Sequence, residues 1–126
     1  MNNLHSKTIM VVDDEPSLRH ALMEKISHEN FSVLEAANGS VALESALKKH
    51  PDLILLDIDM PVMNGIEMLK KLREDPWGKT VRVIILTNSM NSVDLLKVLE
   101  TETFDYFVKA DIVMEDLIKK IKVYLN

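Results

Sequence analysis

Short apolar runs alternate with amphipathic stretches along this chain. Thr8-Ile9-Met10-Val11-Val12 is apolar and rich in branched side chains, and two aspartates follow it. Leu53-Ile54-Leu55-Leu56 repeats the pattern and stops at Asp57, and Val81 to Leu86, with Arg82 its one charge, stops at Thr87. Continuous apolar runs of this length predict strands covered on both faces. Phe31-Ser32-Val33-Leu34 and Tyr106-Phe107-Val108 are weaker strand candidates.

The intervening stretches have helical spacing. Leu18, Ala21, Leu22, Lys25 and Ile26 form one stripe, and Pro16 sits where a first-turn proline is tolerated. Val41, Ala42, Ala46 and Leu47 form a second. Ile66, Leu69 and Leu72 form a third, opened by Asn64 with Glu67 three positions on, a helix-start signal. Leu95, Leu96 and Leu99 predict a fourth helix, and Leu117, Ile118, Ile121 and Tyr124 a fifth. Five strands alternating with five helices predict an α/β fold: a doubly wound parallel sheet with helices on both faces. The longest predicted loops are Asp75-Pro76-Trp77-Gly78-Lys79 and Asn88-Ser89-Met90-Asn91.

Composition narrows the function classes. The 126 residues suit one domain. A net charge of −5 argues against nucleic acid as a direct partner, because phosphate binding calls for a basic surface. The absence of cysteine excludes disulfides, thiol catalysis and zinc–thiolate sites. No run approaches the about 18 apolar residues of a membrane span, and the polar start, Met1 to Lys7, has no signal-peptide core. The expected compartment is the cytoplasm, with no membrane partner.

The chemistry lies in where the polar residues fall. Asp13, Asp14, Asp57, Thr87 and Lys109 each follow the carboxyl end of a predicted strand. In an open α/β sheet those ends line one crevice, where ligands bind. Taken singly, an aspartate after a strand is ordinarily a turn residue or a helix cap. Three carboxylates on one rim repel, however, and call for cationic compensation. Lys109 supplies one positive charge; Mg²⁺, which takes oxygen ligands and keeps its waters, suits the rest.

Val11-Val12-Asp13-Asp14-Glu15, the segment Leu56 to Gly65 with its Asp-x-x-Met-Pro-x-Met-Asn-Gly pattern, Thr87, and Tyr106-Phe107-Val108-Lys109 together resemble the receiver domain of bacterial two-component response regulators, in its single-domain, chemotaxis-regulator-like form. The resemblance spans residues 1–126 in order and spacing. It implies a flavodoxin-like strand order 2-1-3-4-5 with five flanking helices, and no output domain in the chain. Asp57 would accept a phosphoryl group from a phosphohistidine on a sensor histidine kinase or phosphotransfer protein. Asp13, Asp14, Asp57 and the backbone carbonyl of Asp59 would hold Mg²⁺. Lys109 and Thr87 would contact the phosphoryl oxygens, and Thr87 and Tyr106 would form the switch. Such a protein is not a turnover enzyme, although it assists its own phosphorylation and dephosphorylation. Its signal would pass to a downstream partner or a fused output domain, through a face holding Leu96, Tyr106, Lys119 and Lys122. The fourth-helix side of that face is a homodimer candidate by the same analogy.

Four positions depart from the family pattern. Ala110 stands where the family has a proline joined through a cis peptide to the lysine. A non-proline cis bond costs about 2.5–4 kcal/mol, so the expectation is a strained cis bond or a trans bond that aims Lys109 elsewhere. Asn88 replaces a small residue beside the phosphoryl site. Glu102-Thr103 stands where the family often has Gly-Ala, losing an easy helix stop. Asp59 and Ser89 occupy positions that tune dephosphorylation in the family, so Asp59→Asn is expected to change the phosphoryl lifetime.

Other features read as structural. Met60, Met63 and Met68 suit core filling, and His5, His20, His28 and His50 lack ligand spacing. Trp77 is expected to pack over the sheet edge. Two competing classes remain. A pseudo-receiver would bind partners without phosphorylation. A Mg²⁺-dependent phosphatase would use Asp57-Ile58-Asp59 as a nucleophile pair, but the second acidic pair lies upstream rather than downstream. With three glycines and no phosphate-cradling loop, a nucleotide-binding fold is disfavoured.

Overall fold

A computed structural model describes residues 7–60, 63–88 and 105–125. The predicted helix around Leu95, Leu96 and Leu99 lies outside these residues, as do Ser89, Glu102 and Thr103. The order is β1 (Thr8–Val12), α1 (Pro16–Ser27), β2 (Ser32–Ala36), α2 (Gly39–Lys49), β3 (Leu53–Asp57), α3 (Gly65–Glu74), β4 (Arg82–Thr87), β5 (Asp105–Val108) and a C-terminal helix, α4 (Met114–Leu125). The five strands form one parallel sheet in the order β2-β1-β3-β4-β5. This is the flavodoxin-like order expected, with four helices among the described residues.

The strands alternate their side chains between two apolar layers, as the two-residue pleat requires. Met10, Val12, Ile54, Leu56, Val83 and Ile85 pack under α2 and α3. Ile9, Val11, Leu53, Leu55, Ile84 and Leu86 pack under α1 and α4. The central strands are sealed on both sides, with Leu53 to Leu56 fully buried. Each such aliphatic side chain stabilises the fold by roughly 1.5–3 kcal/mol.

Helix starts follow local chemistry. Asn64 Oδ1 accepts the Glu67 N–H at 3.0 Å and caps α3, as the Asn64/Glu67 spacing predicted. Asn38 Oδ1 caps α2 through the Val41 N–H at 2.9 Å. Pro16 occupies the first turn of α1. Two strand boundaries differ from expectation: β2 begins after Phe31, whose side chain is buried, and β4 begins at Arg82. At Gly65 the start of α3 comes so close to the end of β3 that a Cβ would lie 2.4 Å from the Asp57 carbonyl oxygen. Trp77 is half-buried against the α2/α3 layer, and its ring stacks on His50 at 4.3 Å.

Candidate phosphoryl and metal site

The carboxyl ends of β1, β3 and β4 bring Asp13, Asp57 and Thr87 together, all three buried. Asp14 follows Asp13, and one carboxylate oxygen from each of Asp13, Asp14 and Asp57 lies within 4.8 Å of the others. Lys109, directly after β5, reaches into the same crevice. Its Nζ donates to Asp57 Oδ2 at 2.9 Å and sits 3.1 Å from Asp13 Oδ2 and 3.4 Å from Glu15 Oε1. No peptide bond among the described residues is cis, so the Lys109–Ala110 bond is trans. The expectation that a trans bond would aim Lys109 elsewhere does not hold. A single 3₁₀ turn, Lys109–Asp111, starts at the lysine, whose side chain points back over the sheet end.

Backbone donors set the acidic groups. Asp13 Oδ1 accepts the Glu15 N–H at 2.8 Å, and Asp57 Oδ1 accepts the Asp59 N–H at 2.8 Å. Asp13 Oδ2 is buried and accepts no hydrogen bond; the lysine beside it is at ion-pair distance but not aligned to donate. A buried carboxylate oxygen lacking a donor, next to two further carboxylates, suits a hard cation better than another hydrogen-bonding group.

Burial is the largest influence on Asp57 and disfavours its charge. Asp13 adds repulsion, the Lys109 hydrogen bond and the Asp59 N–H oppose it, and the pKa is pushed up from 3.8 to about 6. Burial works against the charge of Lys109 as well. There the hydrogen bond to Asp57 and the charges of Asp57 and Asp13 outweigh it and hold the ammonium above its ordinary pKa. Two buried carboxylates thus share one cation.

Asp59 does more than its backbone role suggested. Its side chain is exposed, and its Oδ2 accepts the Asn88 N–H at 2.9 Å and lies 3.5 Å from Thr87 Oγ1. Tyr106 pairs with Ile85 across the β4–β5 ladder and packs, half-buried, on the α2/α3 layer. Thr87 is two residues beyond Ile85, so Tyr106 and Thr87 face the same side of the sheet. Of the expected output face, Leu96 lies outside the described residues. Lys119 lines a groove of about 420 Å³ with Phe107, Asp116 and Val123. Lys122 is not among its lining residues; its Nζ donates to Glu29 Oε1, just beyond α1, at 2.5 Å.

Sequence reasoning missed three contributors. Arg19 is buried within α1, donating to the Asp13 carbonyl at 2.9 Å and to Glu35 Oε1 at 3.2 Å. Its signal was a charged residue three positions before Leu22 on the apolar stripe. Glu15 approaches Lys109, and Gly65 permits the close approach to Asp57.

The molecule is therefore a doubly wound α/β domain with a lysine-bridged acidic crevice at its topological switch point. The chain belongs to the response regulator receiver domain family, which it matches over residues 9–122. It is 38% identical over 123 residues to the nitrate/nitrite response regulator protein NarL of Escherichia coli K12, covering 96% of this chain and 56% of NarL. It is 37% identical over 109 residues to the transcriptional regulatory protein ResD of Bacillus subtilis, covering 86% and 44% respectively. The chain thus spans about half the length of these curated relatives. Among solved structures, the chemotaxis protein CheY4 of Vibrio cholerae superposes with a TM-score of 0.86 at 27% identity, covering 94% of this chain and 98% of that one. A CheY-like receiver domain protein from Methanospirillum hungatei JF-1 gives 0.87 at 26%, covering 95% and 94%. The family is a signalling module rather than a turnover enzyme. No helix among the described residues is long and apolar enough to cross a membrane.

Proposed function

We propose that residues 1–126 act as one phosphorylation-dependent receiver in the cytoplasm, accepting a phosphoryl group on Asp57 from a sensor histidine kinase or phosphotransfer protein. The observation that carries this reading is the Asp57 carboxylate itself. It is buried at a strand end, held at one oxygen by a backbone N–H and at the other by Lys109, and flanked by two further carboxylates. One Asp57 oxygen bonds to phosphorus as the phosphorus–nitrogen bond of the phosphohistidine breaks, and that electron pair returns to the imidazole. Phosphoryl transfer needs positioning and charge neutralisation more than covalent help. Lys109 supplies a fixed positive charge for the transferring oxygens.

Asp13, Asp14, Asp57 and the backbone carbonyl of Asp59 would hold Mg²⁺, and the orphaned Asp13 Oδ2 favours that assignment. Bound there, the ion would neutralise charge on the phosphoryl group. The product replaces a monoanion with a dianion bearing new acceptor oxygens. Thr87 and Lys109 turn towards them, Tyr106 follows on the same sheet face, and a partner or a fused output domain reads the change.

Intact-protein mass after incubation with acetyl phosphate and Mg²⁺ tests this. A gain of one phosphoryl group in the parent but not in Asp57→Ala supports it. Equal gain in both moves the acceptor elsewhere, and no gain in either, with a phosphorylated histidine donor tried alongside, favours the pseudo-receiver reading.

A further inference from the structure

Asp59 grips both sides of the crevice. Its backbone N–H binds Asp57 Oδ1 at the end of β3. Its carboxylate crosses to the end of β4, where Oδ2 takes the Asn88 N–H at 2.9 Å and meets the Thr87 hydroxyl at 3.5 Å. These groups are 29 and 28 positions away in the chain. An exposed carboxylate is well solvated by water and needs no protein donor. Here it nevertheless sits where a backbone amide and a neighbouring hydroxyl converge on a single anionic oxygen. Such charge-assisted bonds are roughly twice as strong as neutral ones.

A phosphoryl group on Asp57 presents anionic oxygens to the same small space, so the donors at the end of β4 face two claimants. We propose that the Asp59 carboxylate is a built-in competitor for the phosphoryl group: in the unphosphorylated protein it holds the Asn88 N–H and the Thr87 hydroxyl, and phosphorylated Asp57 must take them from it. The inference rests on Asp57 being the phosphoacceptor. The incoming dianion repels the Asp59 carboxylate, which turns out to water as its donors are taken. Until then the β4 end is anchored in the resting arrangement. Asp59 thus acts as a positioning residue that sets the driving force needed to switch: a ligand that must first displace an internal group binds more weakly by the fraction of molecules in which that group is already released.

The test compares the parent with Asp59→Ala and Asp59→Asn, using beryllium fluoride with Mg²⁺ as a non-covalent phosphoryl mimic and the Asn88 amide proton as a reporter. Asp59→Ala removes charge and acceptor together, whereas Asp59→Asn removes the charge but keeps an acceptor oxygen. In the free protein the Asn88 amide proton moves upfield in Asp59→Ala and less in Asp59→Asn. Beryllium fluoride affinity rises about three- to tenfold in Asp59→Ala, the net scale of one ordinary intramolecular hydrogen bond, with Asp59→Asn between. Two results overturn the proposal while leaving the phosphoacceptor reading intact: equal affinity in all three proteins, or equal gains in both variants with an unmoved amide, which would be a pure charge effect. A parent that binds no beryllium fluoride, yet shows the amide shift in Asp59→Ala, overturns the phosphoacceptor reading. The competition falls with it, and only the hydrogen bond stands.

Discussion

The body of β3 and its last residue are buried to the same depth but stabilise the protein in opposite senses. Leu53 to Leu56 are wholly enclosed between two apolar layers, and every atom removed from water there favours folding. Asp57, one residue on and equally enclosed, is held in a charge arrangement that burial opposes, with Asp13 beside it and one lysine between them. The contrast separates a scaffold from a site. The sheet interior supplies the stability that lets its carboxyl rim hold unfavourable charge in place.

Substitutions in the two regions should therefore diverge. Leu55→Ala opens a cavity between β3 and the α1/α4 layer and should cost about 2–5 kcal/mol, read by urea unfolding, with the same loss at every pH. Lys109→Met leaves Asp13 and Asp57 without their shared ammonium and should cost about 3 kcal/mol at pH 8. In contrast to the leucine variant, this deficit should shrink below about pH 6, where Asp57 takes up a proton, and on addition of Mg²⁺.

Asp57→Asn has the opposite sign. The folded pKa of about 6 lies above the ordinary 3.8, so the native protein holds this proton more tightly than the unfolded chain. The stability that protonation contributes is complete below about pH 4 and lost as pH rises through 6. Asp57→Asn escapes that loss and should exceed the parent by on the order of 2 kcal/mol at pH 7.5 without Mg²⁺. The two should converge near pH 4, and thermal melts across that range check both. A variant less stable than the parent at pH 7.5 would mean that the ion pair with Lys109 outweighs burial. Smallest is Asn64→Ala, which removes the α3 cap next to the site and should cost about 1 kcal/mol by urea unfolding.

Much of the scaffold was legible because its signals are local. A run such as Leu53 to Leu56 is apolar at every position only if both faces are covered, and Asn64 with Glu67 announces the start of α3 within one turn. The rim was legible for a related reason: Asp13, Asp57, Thr87 and Lys109 each sit one or two positions after such a run, and parallel strands place those ends on one side. Boundaries such as β2 beginning after Phe31 were less so, because a half-buried edge strand carries a weaker pattern than a central one.

Periodicity and strand-end spacing thus determined the fold class and which residues would meet. The tertiary structure alone decided how they meet. It placed the Lys109 ammonium 2.9 Å from a carboxylate 52 positions away despite the trans bond to Ala110, buried Arg19 under the Asp13 carbonyl, sent Lys122 to Glu29, and carried the Asp59 carboxylate across to Asn88. Apolar patterning is a property of neighbours in the chain, whereas the direction of a polar side chain is settled by the charges and donors that distant segments bring to it.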